Sequence, residues 1–174
     1  MITIIASTNR PNSVSSKIAA YYLSEFISRN IEAQVVKLED LPHDFTFSAL
    51  YTNSGKNDEF NILRDKVQNS DKILFVVPEY NGSFPGVLKS FIDGLKFPEG
   101  LRNKKAAMIG ISSGTMGAVL AMSALTDILN YLGCHVLALK PRITTIEKNF
   151  SNDTIIDPTA KNIVQLQIDQ FINF

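Results

Sequence analysis

The amino-acid sequence predicts a doubly wound α/β sandwich, in which helices cover both faces of a five-stranded parallel sheet. Short apolar runs alternate with segments of helical periodicity along the whole chain, and this alternation is typical of strands joined by crossover helices. The strand runs are apolar almost throughout, which indicates burial on both faces of the sheet. No repeat, low-complexity tract or linker interrupts the 174 residues, so we expect one domain over residues 1–174.

The individual elements follow from run length and periodicity. Strands are predicted where an apolar run is short and bounded by polar or turn-forming residues, at 2–6, 33–38, 72–77, 105–111 and 135–139. Helices are predicted where apolar residues recur every three or four positions, at 15–29, at 58–69, from near Pro85 to 95, at 116–132 and after Asp157 and Pro158. Two stretches, 39–57 and 141–156, fit neither pattern and are expected to be long loops.

Composition excludes several classes of function. Seventeen basic residues balance 17 acidic ones, which argues against a nucleic-acid partner and against an anionic membrane surface. Cys134 is the one cysteine, and no apolar run is long enough for a signal peptide or a membrane span, so we expect a cytoplasmic protein without disulfides. His43 and His135 form no arrangement with Cys134 that suggests a metal site or a nucleophile.

A loop rich in hydroxyl groups follows the first strand and leads into a helix. It contains Ser7, Thr8, Arg10, Ser13, Ser15 and Ser16. Backbone N–H groups and the positive end of the helix dipole converge at such a turn, and hydroxyls with one arginine complete a donor set for a phosphate monoester. The same residues also suit a helix cap, so this loop alone leaves both interpretations open.

Two further loops follow the strands at 72–77 and 105–111. The first reads Pro78, Glu79, Tyr80, Asn81, Gly82, Ser83, Phe84, Pro85 and Gly86, and its prolines and glycines fix a rigid loop whose amides suit the edge of a planar heterocycle. The second contains Ser112, Ser113 and Gly114, where small residues leave room for a flat ligand. Because ligands of open α/β sheets bind beyond the carboxyl ends of the strands, three such loops predict a ligand site there.

These loops resemble those of the NADPH-dependent FMN reductase family, which also contains quinone, azo-dye and chromate reductases. The resemblance lies in Ser7-Thr8-Asn9-Arg10-Pro11-Asn12-Ser13 before a helix, in Pro78 to Lys89 and in Asp93. It covers roughly residues 2–139 and implies a flavodoxin-like three-layer sandwich with strand order 2-1-3-4-5. The chain departs from the family pattern at Ala6, where glycine is usual, in a first loop longer by one residue, and at Gly94, where an aromatic residue is frequent.

The resemblance implies that FMN binds between the three loops. Around its phosphate it places Ser7, Arg10, Ser13, Ser15 and Ser16. Along the isoalloxazine it places Pro78, Glu79, Tyr80, Asn81 and Gly82 on one side and Ser112, Ser113 and Gly114 on the other. The longer first loop leaves open which of the serines at 13, 15 and 16 contact the phosphate.

The activity that the resemblance implies is FMN-dependent NAD(P)H oxidoreduction. Hydride passes from NADPH or NADH to the flavin, and a flavin, quinone or similar small acceptor then replaces the nicotinamide in a ping-pong sequence, with no dedicated catalytic side chain. Two alternatives are a non-enzymatic FMN electron carrier and a flavin-binding regulatory domain. Carriers of this fold tend to be strongly acidic, whereas this chain has zero net charge. The resemblance also implies a homodimer or homotetramer, with residues 87–95 and 39–57 at the interface.

Overall fold

The computed structural model describes residues 1–174 and contains the predicted parallel sheet between two helical layers. Its strands are β1 (Ile2–Ala6), β2 (Ala33–Lys37), β3 (Lys72–Pro78), β4 (Lys105–Ile111) and β5 (His135–Val136). They pair in parallel in the order β2-β1-β3-β4-β5. This is the flavodoxin-like order, so the predicted fold class is confirmed.

Seven helices connect and cover the strands. They are α1 (Val14–Ser28), α2 (Phe45–Ser48), α3 (Asp58–Gln68), α4 (Gly86–Asp93), α5 (Val119–Tyr131), α6 (Ile146–Asn149) and α7 (Pro158–Asn173). Three of them begin at a polar side chain that accepts a hydrogen bond from a backbone N–H group of the first turn: Ser13, Asn57 and Asp157. None of the helices combines the length and the apolarity that crossing a membrane demands.

Apolar side chains fill both spaces between sheet and helices. One core layer lies against α3, α4 and α5 and includes Phe60 and Phe91. The other lies against α1 and α7 and includes Tyr22 and Phe171. Because both faces of the sheet are covered in this way, a ligand reaches the strands only at their ends, where the connecting loops lie.

The fifth strand is shorter than predicted. The sequence predicts a strand at 135–139, but β5 stops after two residues and the pairing with β4 resumes in β6 (Arg142–Ile143). Between them, the Leu139 carbonyl accepts a hydrogen bond from the side chain of Gln167, and Pro141 has no N–H group to donate to a strand ladder. The apolar pattern of the sequence therefore continues through residues whose hydrogen-bonded pairing with β4 is interrupted.

The two stretches expected to be loops contain short regular elements, so that expectation was wrong. Residues 39–57 include α2, a 3₁₀ turn at Tyr51–Asn53 and most of another at Leu38–Asp40. Residues 141–156 include β6, α6 and the hairpin of β7 (Phe150–Ser151) with β8 (Thr154–Ile155). Each of these elements has two to four residues. Elements of that length are too short to produce a periodic pattern in sequence.

Helix α5 begins three residues later than the sequence predicts. The predicted start is residue 116, but Gly117 and Ala118 have φ angles of +63° and +60°, which a right-handed helix does not allow. A Cβ atom at Gly117 would lie 2.7 Å from Cβ of Arg142, so only glycine fits here. The loop after β4 is therefore longer than predicted and packs closely against β6.

Candidate functional site

Loops that follow β1, β3 and β4 border one cleft at the carboxyl edge of the sheet, as predicted. Its volume is about 420 Å³, within the range of small-molecule sites. The loops converge because β1 pairs with β3 and β3 pairs with β4. The cleft is lined by Thr8, Arg10, Pro11, Asn12, Ser13, Val14, Ser15, Pro78, Glu79, Tyr80, Ile111, Ser112, Ser113, Ile146 and Glu147.

The loop after β1 offers unpaired hydrogen-bond donors to the cleft. Ser13 caps α1 by accepting a hydrogen bond from the N–H group of Ser16 at 3.2 Å. The backbone N–H groups of Val14 and Ser15 find no acceptor within the protein, as the first turn of a helix requires. Arg10 is exposed and makes no ion pair. This end of the cleft therefore suits an anionic group such as a phosphate.

Two of the predicted serines lie outside the cleft lining. Ser7 is fully buried, and its hydroxyl donates to the carbonyl of Ile5 at 3.3 Å. Ser16 donates to Oε1 of Glu39 at 3.2 Å, which ties α1 to the segment after β2. Both residues therefore stabilise the loop after β1 from outside the lining of the cleft. Ser15 lines the cleft and is buried, and its hydroxyl has no partner within the protein.

The loop after β3 is held by a tight two-residue turn. Tyr80 and Ser83 exchange backbone hydrogen bonds of 2.8 and 3.0 Å, and Asn81 and Gly82 between them have φ angles of +53° and +76°, as in a type I′ turn. The two central residues, Asn81 and Gly82, lie outside the lining although they were predicted to be site residues. Tyr80 lies within the lining, and its hydroxyl is 2.7 Å from Oγ1 of Thr8. Thr8 is a lining residue that the sequence analysis counted among the hydroxyls of the loop but did not place at the phosphate.

Glu79 joins the loop after β3 to the start of α5. Its carboxylate accepts a hydrogen bond from the N–H group of Ala118 at 3.0 Å. Its own N–H group donates to the carbonyl of Ile111 at 3.1 Å. A negative charge at a helix N-terminus is favourable, so α5 holds the Glu79 side chain in place beside the cleft.

The loop after β4 is folded on its own first serine. The Ser112 hydroxyl donates to the carbonyl of Gly114 at 2.9 Å and accepts from the N–H group of Gly117 at 3.0 Å. The N–H groups of Thr145 and Ile146 donate to the carbonyls of Gly114 and Ser112, both at 3.0 Å. Gly114 itself lies outside the lining. The backbone of this loop is therefore held both by the Ser112 side chain and by the segment that begins α6.

Helix α6 contributes a part of the cleft that the sequence analysis missed. Ile146 and Glu147 line it, and the Ser113 hydroxyl donates to the carboxylate of Glu147. This hydrogen bond lowers the pKa of the Glu147 carboxyl below its ordinary value, so the group is ionised at neutral pH. A four-residue helix leaves no signal in the sequence that would have identified these two residues.

The charges at the cleft are separated along the sheet edge. Arg10 follows β1, whereas Glu79 and Glu147 follow β3 and β6. From β1 to β6 there are three strand spacings, about 14 Å. The arrangement suits an elongated ligand whose anionic end lies at the start of α1. The flat part of such a ligand would lie between the rigid loops after β3 and β4. These features fit the phosphate and the isoalloxazine of FMN.

A second concavity lies away from the strand ends and has different chemistry. It measures about 470 Å³ and lies between α4, α5 and the segment that joins α4 to β4. Seven of its 12 lining residues are hydrophobic. Of its two lysines, Lys89 is paired with Asp93 at 2.6 Å, and Lys96 makes no ion pair. Because the groove lies at the C-terminal ends of α4 and α5, where the helix dipoles are negative, and includes the carboxylates of Asp93 and Asp127, it suits a phosphate less well than the start of α1 does. No group of three or more His, Cys, Asp or Glu side chains is placed to hold a metal ion.

Known proteins are similar to this chain in both sequence and fold. The sequence profile described as NADPH-dependent FMN reductase matches residues 1–141. A quinone reductase of Pseudomonas putida is 30% identical over 134 residues, which cover 75% of this chain and 70% of that protein. An FMN-dependent NADPH-azoreductase of Staphylococcus aureus is 24% identical over 178 residues, which cover 98% and 93%. The structure of a flavoenzyme NAD(P)H:(acceptor) oxidoreductase from Paracoccus denitrificans has a TM-score of 0.76 at 25% identity, over 99% of this chain and 94% of that one. The chain therefore belongs to the NADPH-dependent FMN reductase family and is an FMN-dependent NAD(P)H oxidoreductase.

Proposed function

We propose that the enzyme reduces quinones or similar small electron acceptors in a ping-pong sequence on FMN held in the cleft. The observation that carries this proposal is the convergence of three loops on one cleft, with Arg10 and unpaired donors at one end and the rigid backbone from Pro78 to Tyr80 at the other. The names of the relatives, a quinone reductase and an azoreductase, support this class of acceptor.

Each end of the cleft has its own role in this proposal. Arg10, Ser13, Ser15 and the N–H groups at the start of α1 would bind the phosphate. The isoalloxazine would lie between Pro78, Glu79 and Tyr80 on one side and Ser112 and Ser113 on the other. Asn81, Gly82 and Gly114 would shape the turns that present these groups, and Ser7 and Ser16 would fix the loop after β1.

The chain's own residues bind and orient, and the cofactor supplies the redox chemistry. Bound FMN would supply the chemistry that takes up hydride from NAD(P)H and delivers two electrons to the acceptor. The overall reaction converts NAD(P)H, one proton and a quinone into NAD(P)⁺ and a hydroquinone, so one proton comes from solvent. No cleft side chain has to hold that proton. The nucleotide and the acceptor occupy the same open side of the cleft in turn, which gives ping-pong kinetics.

Steady-state kinetics test the proposed activity. The FMN-loaded protein is assayed with NADPH and with NADH across a panel of quinones, azo dyes and free flavins. We expect parallel double-reciprocal lines and no turnover without FMN. Absence of turnover with either nucleotide across the whole panel would contradict the enzyme and favour an electron carrier.

Substitution of Arg10 tests the proposed phosphate site. Arg10→Ala removes a hydrogen bond to a charged group, which is worth about 1.5–3 kcal/mol, so the Kd for FMN should rise roughly ten- to hundredfold. The Kd for riboflavin, which lacks the phosphate, should stay unchanged. Arg102→Ala is the matched control, because Arg102 is exposed before β4 at the opposite edge of the sheet. Equal FMN affinities of the two variants would contradict the assignment.

We also propose that two copies associate through the surface around the apolar groove between α4 and α5. Phe97 and Tyr131 border that groove and are 73% and 84% exposed, so the groove and its rim together form an exposed apolar patch of the kind found at protein interfaces. Residues 87–95 and the segment 39–57 would take part, and a homotetramer would need a second such surface. The reaction would take place in the cytoplasm, where NAD(P)H is regenerated.

A further inference from the structure

The cleft has one exposed negative charge that is not paired with a cationic side chain. Three charged side chains line it: Arg10, Glu79 and Glu147. Arg10 stands at the end proposed for the phosphate, which would neutralise it. The other end, where the loops after β3 and β4 and helix α6 meet, contains two carboxylates and no cation.

The two carboxylates differ in how their charge is compensated. Glu79 is half-buried and accepts a hydrogen bond from Ala118 at the start of α5, so the positive helix end offsets its charge. Glu147 is exposed and accepts a hydrogen bond from the neutral hydroxyl of Ser113. It lies in the first turn of the four-residue helix α6 and makes no ion pair. Glu147 is therefore the exposed carboxylate of the cleft, and no cationic side chain is paired with it.

We propose that Glu147 determines acceptor specificity by charge, so that the enzyme prefers uncharged electron acceptors to anionic ones. The inference rests on the proposed function, because it concerns the molecule that enters the open side of the cleft. An acceptor that reaches the loop after β4 comes within contact range of Ser113 and hence close to the carboxylate bonded to it. Two negative charges about 6 Å apart in a partly solvated cleft repel each other enough to weaken binding roughly three- to thirtyfold.

A pair of quinones that differ in charge tests the proposal. The probes are 1,4-naphthoquinone and its 2-sulfonate, and the measured quantity is the ratio of kcat/KM for the sulfonate to kcat/KM for the parent quinone. Glu147→Gln removes the charge and keeps an oxygen that accepts from Ser113. The ratio should rise roughly three- to thirtyfold in this variant, and the rise should shrink at high salt because salt screens exposed charges. An unchanged ratio would overturn the proposal.

Two control variants separate charge from structure. Glu32→Gln removes an exposed carboxylate just before β2, at the opposite edge of the sheet, and should leave the ratio unchanged. Ser113→Ala removes the hydrogen bond and keeps the charge of Glu147. Its ratio should stay within about twofold of the wild-type ratio. A ratio that rises in Ser113→Ala as far as in Glu147→Gln would overturn the proposal, because loop position rather than charge would then set specificity.

A binding measurement makes the test independent of turnover. The 2-sulfonate is titrated into the oxidised, FMN-loaded protein, and the Kd is read from the flavin absorbance. Glu147→Gln should bind it more tightly by the same factor as the kinetic ratio changes. If no variant turns over any acceptor, the proposed function fails while this titration still decides the role of Glu147. Equal Kd values for wild type and Glu147→Gln would overturn that role.

Discussion

Gly94 illustrates how a single residue is fixed by packing. A Cβ atom at this position would lie 2.3 Å from Cζ of Phe60. Phe60 is fully buried, and its ring centroid is 5.7 Å from those of Phe45 and Phe91. A ring held between two others has no room to move. Glycine at position 94 is therefore required by the core between α3 and α4.

Substitution of Gly94 should reveal this packing. Gly94→Ala inserts a methyl group into a filled core, and we expect it to lower the free energy of unfolding by about 1–3 kcal/mol, measured by urea denaturation. Gly86→Ala is the control, because a Cβ atom there has no neighbour within 4 Å. Gly86→Ala should be neutral or slightly stabilising. If both variants unfolded at the same urea concentration, the packing argument would be wrong.

Cys134 should make stability depend on alkaline pH. Burial raises the pKa of its thiol from 9.0 to about 12, and its Sγ lies 3.1 Å from the carbonyl oxygen of Lys104. The folded protein keeps the thiol proton at pH values where the unfolded chain has lost it. The contribution to stability is therefore complete below pH 9 and is lost progressively as pH rises towards 12.

The comparison with Cys134→Ala isolates this contribution from the other groups that titrate at high pH. Between pH 8.5 and 10.5, the free energy of unfolding of the wild type should fall relative to that of the variant by about 2 kcal/mol, at ~1.4 kcal/mol per pH unit. Urea denaturation of both proteins at both pH values measures it. A difference between the two proteins that stays constant with pH would contradict a buried, protonated thiol.

At the scale of elements, one buried polar side chain of α7 adds hydrogen bonds to the apolar packing between that helix and the sheet. Gln167 is fully buried and accepts a hydrogen bond from the hydroxyl of Tyr22 at 2.7 Å. Its amide donates to the carbonyls of Met108 and Leu139 at 2.8 and 3.0 Å. Leu139 lies in the gap between β5 and β6. The glutamine thus satisfies a backbone group that the interrupted strand leaves without a ladder partner.

Replacement of Gln167 should destabilise the whole sandwich. Gln167→Leu keeps the volume but removes the partner of one buried hydroxyl and two carbonyls, so we expect the free energy of unfolding to fall by about 2–4 kcal/mol. Gln170→Leu, at an exposed position of the same helix, should change it by less than about 0.5 kcal/mol. Denaturant unfolding with equal losses in the two variants would show that the buried network is unimportant.

The accuracy of the sequence-based prediction varied with the length of the element. The strand at 105–111 has the predicted bounds because polar residues flank a continuous apolar run. The loops at the cleft were predicted correctly as neighbours because the carboxyl ends of parallel strands meet at one edge. Thr8 was included in the donor set of its loop but not among the ligand contacts, because the sequence does not distinguish it from the adjacent Ser7. Glu147 was missed because it lies on a helix held by backbone hydrogen bonds to the loop after β4. Such contacts between distant segments leave no local pattern.

At the scale of the whole molecule, the sheet separates two surfaces with different properties. Its carboxyl edge presents the polar cleft, and the outer side of α4 and α5 presents the apolar groove with Phe97 and Tyr131. We expect sedimentation at micromolar concentration to give a dimer or tetramer. Tyr131→Glu should shift the protein towards the monomer, because a buried unpaired charge is costly at an interface.

A control on the other side of the sheet makes this test specific. Leu166 is an exposed apolar residue of α7, which packs against the opposite face of the sheet from α5. Leu166→Glu should leave the sedimentation coefficient unchanged. A wild-type protein that sediments as a monomer, or a Tyr131→Glu variant that sediments like the wild type, would contradict the proposed interface.

A crystal structure of the protein grown with excess FMN tests the central claim most directly. We expect the phosphate at the start of α1, within hydrogen-bond distance of Arg10 and the N–H group of Ser15, and the isoalloxazine between Tyr80 and Ser112. FMN bound in the apolar groove beside α4, or a reversed ligand with its phosphate next to Glu147, would contradict the account.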